Sequence, residues 1–204
     1  VTIWLLQGLE VLRLQKNKVF VPFLNIENAI NLRTLIISET KTNSLIGIGG
    51  AKQLRELHVT NAGLQGMIPD ELFQLSLLEK LYLSHNALTG FLPSQIGKLT
   101  ALKDLYVFDN NLRGTIPTDI GMLGSLEHLS LGQNEFVGTL PRQLGSLGRL
   151  QLLSLEKEQD VAPTGMFSVG GGGLSGTLPS LNGLPRIREV YLGHNSFTGT
   201  IPTD

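Results

Sequence analysis

From Leu78 to Pro141 the apolar positions recur at a fixed interval. LEKLYLSHNALTGFLP is followed by LKDLYVFDNNLRGTIP and then by LEHLSLGQNEFVGTLP; the copies open at Leu78, Leu102 and Leu126, a period of 24 residues. Within each copy a pair of apolar residues brackets one outward residue (Leu81 and Leu83, Leu105 and Val107, Leu129 and Leu131), the alternation of a strand with one buried face. A unit this short cannot bury its apolar face alone. A fixed period in this range therefore predicts a solenoid, in which each unit stacks on the next and each strand pairs in parallel with its neighbour.

Aligning on the first leucine gives eight starts, at Leu9, Leu32, Leu54, Leu78, Leu102, Leu126, Leu150 and Ile187, spaced by 23, 22, 24, 24, 24, 24 and 37 residues. Repeats one and two keep their strands but lose later signals: FVPFLNIENAI lacks the glycine and the Ile-Pro step, and Thr40 and Thr42 stand where asparagine and leucine are usual. Repeat three recovers the pattern with Ala62 at the asparagine position. Repeat seven carries about 14 extra residues, because Leu174 follows Leu155 by 19 where Leu88 follows Leu83 by five. Ile3 and Leu6 open the chain with half a repeat, and the pattern is left after Pro202, as expected of a segment of a longer solenoid. Trp4, one residue past an inward position, either covers the end of the core or lies on the surface.

Each remaining signal has a physical reason. Asn17, Asn86, Asn110, Asn134 and Asn195 follow the strands where the chain turns inward, and a side-chain amide there can satisfy backbone groups that water does not reach. Gly66, Gly90, Gly114, Gly138, Gly176 and Gly199 suit a positive φ or tight bend. The prolines after Ile or Leu (Pro69, Pro93, Pro117, Pro141, Pro179, Pro202) cannot donate to a ladder and are expected to close a short second strand. Segments such as SQIGKLTA then fit a single helical turn on the convex side.

The consensus L-x-x-L-x-L-x-x-N-x-L-x-G-x-I/L-P resembles the plant-type leucine-rich repeat of receptor-like kinase ectodomains and polygalacturonase-inhibiting proteins. The likeness is good over residues 54–204 and looser over 1–53. It implies an α/β leucine-rich repeat solenoid, a right-handed superhelix with a concave parallel sheet of about eight strands and short helical or 3-10 turns on its convex side. It also implies a single domain over 1–204, a location outside the cell or at its surface, and recognition of a protein, a peptide or a small hormone on the concave face. Ectodomains of that family usually carry paired cysteines and glycosylation acceptors, and this chain has no cysteine and no N-x-S/T. The same repeat type also occurs in algae, protists and bacteria.

Composition narrows the partners. Net charge is −1, with 16 basic and 17 acidic residues, so nothing suggests nucleic acid or a membrane surface, which would call for a basic patch. Without cysteine there is neither a disulfide framework nor a thiolate metal site. No cofactor is expected. GGGG at Gly170 to Gly173 lacks the Lys-Ser/Thr of a phosphate loop.

Outward strand residues fall into columns across the repeats. The central column reads Arg13, Ile36, His58, Tyr82, Tyr106, Ser130, Ser154 and Tyr191, and it holds every tyrosine of the protein. All four histidines also fall on this face or its rim. The candidate binding residues are His58, Tyr82, His85, Asp104, Tyr106, Phe108 and Asp109, a patch assigned to repeats three to six. Aromatic side chains give large contact area at low entropic cost; packing across strands to stabilise the sheet is the plainer account. Glu56, Lys80 and Asp104 alternate in sign and fit a ladder of weak surface pairs. His58 and His85 stand about 10 Å apart on this reading, too far for one zinc ion. Ser130 with His128 lacks an oxyanion hole or a cleft, so no enzyme is expected. The insertion, residues 159–173, offers Met166 and Phe167 as further loop contacts. A non-catalytic recognition module that binds a protein or peptide is the first reading. A structural or adhesive repeat protein without a single dedicated ligand is the second.

Overall fold

In a computed structural model, which describes residues 2–157 and 173–202, the repeats stack into a leucine-rich repeat solenoid. Among the described residues, eight three-residue strands form one parallel sheet in chain order: Val11–Arg13, Thr34–Ile36, Glu56–His58, Lys80–Tyr82, Asp104–Tyr106, His128–Ser130, Leu152–Ser154 and Glu189–Tyr191. The register keeps each repeat in step: Leu12, Leu35, Leu57, Leu81, Leu105, Leu129, Leu153 and Val190 pair in series and point inward. All but the terminal Val190 are buried. Trp4 is fully buried at the first end, its indole N–H donating to the Pro22 carbonyl at 3.0 Å, so it covers the core.

After the strand the chain turns through a left-handed residue. Lys16, Glu39, Asn61, His85, Asp109, Gln133 and His194 have φ between 51° and 60°. Such a residue costs about 1–2 kcal/mol relative to the right-handed region, and the same turn supplies an offset. The N–H of His85 donates to the Phe108 carbonyl (3.0 Å) and that of Asp109 to the Gly132 carbonyl (3.1 Å), so one repeat's turn is tied to the next. The reversal aims the following asparagine into the core.

There the asparagines form the expected ladder. Asn110 Nδ2 donates to the carbonyls of Leu83 and Val107, both at 3.0 Å, while its Oδ1 accepts from the Leu88 N–H at 3.0 Å. Asn134 repeats the arrangement with Val107, Leu131 and Leu112, and Asn195 with Leu155, Leu192 and Leu174. Two positions without the asparagine are covered from nearby. Asn86 Oδ1 accepts from both the Ala62 and the Leu64 N–H, and Thr40 donates to the Ile37 carbonyl and sits 3.0 Å from Thr42, whose hydroxyl accepts from the Val21 N–H. Asn17 differs: it is exposed and bonds only carbonyls of its own turn.

Short second strands follow, in sheets over Gln65–Gly66, Ala87–Phe91, Asn111–Gly114 and Glu135–Phe136, and over Gly138–Thr139, Leu174–Thr177 and Ser196–Thr198. Gly114 illustrates why glycine ends them: its φ is 79°, and a Cβ there would lie 2.5 Å from the Phe91 ring. Pro69, Pro93, Pro117 and Pro141 then sit immediately before the 3-10 turns Asp70–Gln74, Ser94–Lys98, Thr118–Met122 and Arg142–Ser146. Each proline thus ends an extended stretch and pre-sets the turn. The insertion with Met166 and Phe167 lies outside the described residues, Gly173 apart; on either side of it, Leu152 pairs with Glu189 and Gly138 with Leu174 in unbroken register.

Candidate binding face

Because the strands pair in exact succession, outward residues of equal rank stand side by side on the concave sheet. Tyr82 and Tyr106 stack with ring centroids 4.9 Å apart and planes 10° from parallel. His58 continues the row, 4.3 Å from Tyr82, and His128 extends it, 6.5 Å from Tyr106. The four rings cross four consecutive repeats. One column further on, His85 meets the edge of Phe108 at 5.6 Å, and its Nδ1 lies 2.8 Å from Asp109 Oδ2. Of the seven residues picked from the sequence, His58, Tyr82 and Tyr106 fall in the ring row, and His85, Phe108 and Asp109 form a second group.

Two of the sequence-based roles change. Asp104 does not rim the patch: it is 8% exposed, with Oδ2 accepting from the Tyr82 hydroxyl at 2.8 Å and Oδ1 lying 2.6 Å from His128 Nδ1. It also does not extend the Glu56–Lys80 ion pair (2.9 Å) into a longer ladder. His128, weighed in the sequence only for metal or catalytic work, joins the ring row. The signal was available, since it holds in repeat six the place that Asp104 holds in repeat five, and the two pair across the strands.

Burial sets the electrostatics. It raises the Tyr82 phenol well above its usual range, with the hydrogen bond to Asp104 adding to the shift. Tyr106 is raised by burial first and then by the charges of Asp104 and Glu189. His58 is pushed down by burial, and its Nε2 is enclosed without a hydrogen-bond partner, so this ring is neutral near pH 7. The resulting surface is a half-buried aromatic strip with hydroxyls and imidazoles along it and the exposed His85–Asp109 pair beside it. Such a strip can exclude water from a bound chain while offering hydrogen bonds at its centre.

A leucine-rich repeat family model matches residues 52–112, and a second matches 125–147. No curated protein matches the chain. Among solved structures, the crystal structure of a TDR receptor is 29% identical over 98% of this chain and 33% of its own, with a TM-score of 0.86. The plant peptide hormone receptor RGFR1, solved in complex with RGF2, is 32% identical over 98% of this chain and 35% of its own, with a TM-score of 0.80. The chain thus spans about a third of the length of these two, 33% and 35%. The BIR2 ectodomain from Arabidopsis thaliana is 30% identical over 70% of this chain and 68% of its own, with a TM-score of 0.58. Repeat consensus, solenoid and these matches agree: the chain belongs to the plant-type leucine-rich repeat family.

Proposed function

We propose that this solenoid is a non-catalytic recognition module that binds a peptide or an extended protein segment on its concave face, as part of an ectodomain outside the cell. The observation that carries this reading is the stacked Tyr82–Tyr106 pair with His58 and His128 at its ends, a ring row four repeats long on the open side of the sheet. The core does not require it, because Leu81, Leu105 and Leu129 fill the inside of the same strands. Similar solved proteins support the choice of ligand: the Arabidopsis receptor kinase HAESA was solved in complex with the peptide hormone IDA, and RGFR1 is a plant peptide hormone receptor. His58, Tyr82, His85, Tyr106, Phe108, His128 and Asp109 are the proposed contact residues. Selection from a displayed random peptide library tests the proposal. Peptides enriched on the wild-type chain should be lost on Tyr82→Ala and on Tyr106→Ala and retained on Lys98→Ala, whose side chain is on the convex side. Enrichment that survives both tyrosine substitutions would instead favour the structural repeat protein, or a site elsewhere.

A further inference from the structure

We infer that Asp104 is the positioning residue of the concave face: it meets no ligand itself and fixes how the Tyr82 hydroxyl and the His128 ring present themselves to one. The inference rests on the reading of that face as a binding surface. Asp104 stands in the middle of the sheet, with Lys80 beside it in repeat four and His128 beside it in repeat six. One carboxylate oxygen takes Tyr82 from the preceding repeat and the other takes His128 from the following one, so a single side chain ties three adjacent strands together on their outer surface.

An ionised carboxylate is acceptor-only, so both partners must donate. Tyr82 then directs its one phenolic proton to Asp104, and its oxygen faces the groove as an acceptor. Neutral His128 must carry its proton on Nδ1, which leaves Nε2 as an acceptor as well; the tautomer follows from the bond that the first nitrogen makes. Between these two rings stands Tyr106, whose hydroxyl has no hydrogen-bond partner among the described residues and is free to donate. The row therefore presents acceptor, donor and acceptor in sequence, with ring centroids 4.9 and 6.5 Å apart. The chemistry that answers it is N–H, carbonyl, N–H, which amide groups of an extended peptide provide. Lys80 is occupied by Glu56 and does not compete for Asp104 among the described residues' ion pairs.

The test needs no ligand. Two-dimensional ¹⁵N spectra of the imidazoles in the full chain at pH 8 should show neutral His128 as the Nδ1–H tautomer. In Asp104→Leu it should revert to Nε2–H, the form favoured in water. In alkaline titration followed by tyrosinate absorbance, the latest of the three tyrosines should be Tyr82, assigned by its loss in Tyr82→Phe, and its midpoint should fall in both Asp104→Leu and Asp104→Asn. A merely structural carboxylate would move neither tautomer nor titration once circular dichroism shows the fold retained. Nε2–H at His128 in the wild type overturns the inference without any variant having to fold, as does an unmoved Tyr82 midpoint in Asp104→Asn. If the tautomer is as stated but library peptides ignore the tyrosines, the binding reading fails and the role of Asp104 in shaping the face stands.

Discussion

At Asn110 one amide makes three 3.0 Å hydrogen bonds to backbone groups of two repeats, all within a 7%-exposed site. Removing the amide leaves the Leu88 N–H without its acceptor and takes one of two side-chain donors from each of the Leu83 and Val107 carbonyls, which keep Asn86 and Asn134; a buried unsatisfied group costs about 1–3 kcal/mol. Asn110→Ala should therefore lower the unfolding free energy by about that much in urea denaturation, whereas Asn17→Ala, in an exposed turn that bonds only itself, should change it by well under about 1 kcal/mol. Equal effects at the two positions would contradict the ladder. His58 makes a second prediction of opposite character. Its folded-state proton affinity lies below the usual 6.5, through burial first of all, so the unfolded chain takes up a proton before the folded one does. Stability should thus fall as pH drops through 6.5 toward the lower folded value. Urea midpoints at pH 7.5 and 5.5 should separate more for the wild type than for His58→Gln; an identical separation would remove His58 as a source of the slope.

At the scale of the element, the strand, asparagine, glycine and proline positions were legible, Asn17 apart, because each is dictated by one local requirement: an inward side chain, a buried backbone group, a positive φ or a missing N–H. The left-handed residue that precedes each asparagine was not. Its occupants are lysine, glutamate, asparagine, histidine, aspartate and glutamine, and a conformation maintained by hydrogen bonds to the next repeat leaves no mark on residue type. The burial of Asp104 was hidden for a similar reason. Alternation places it outward, and only the height of Tyr82 and the His128 ring beside it makes an outward position a dry one. Ala62 and Thr40 lack the amide, and the partners that replace it, supplied by a neighbouring repeat and by Thr42, are not visible in the residue at that position. The extra length of repeat seven yields a prediction at this scale. Strands flanking it stay in register, so deleting residues 159–172 should restore the five-residue spacing from Leu155 to the next inward leucine. The product should fold with circular dichroism like that of the parent. Loss of the cooperative transition would show that the segment is needed for the solenoid.

For the whole molecule, the solenoid divides its work between two sides. The convex 3-10 turns and the leucine core set the curvature and stability, while the concave sheet holds a row of rings that the core does not need. Calorimetry with a peptide selected on the wild-type chain tests whether this row binds a peptide. Tyr106→Ala should weaken binding by about 2 kcal/mol, roughly 30-fold, as loss of a buried aromatic anchor does. Lys98→Ala and Arg142→Ala, exposed on convex turns, should leave the affinity within about twofold. Unchanged affinity in Tyr106→Ala with the fold intact, or an equal loss from the convex substitutions, would contradict a concave peptide site.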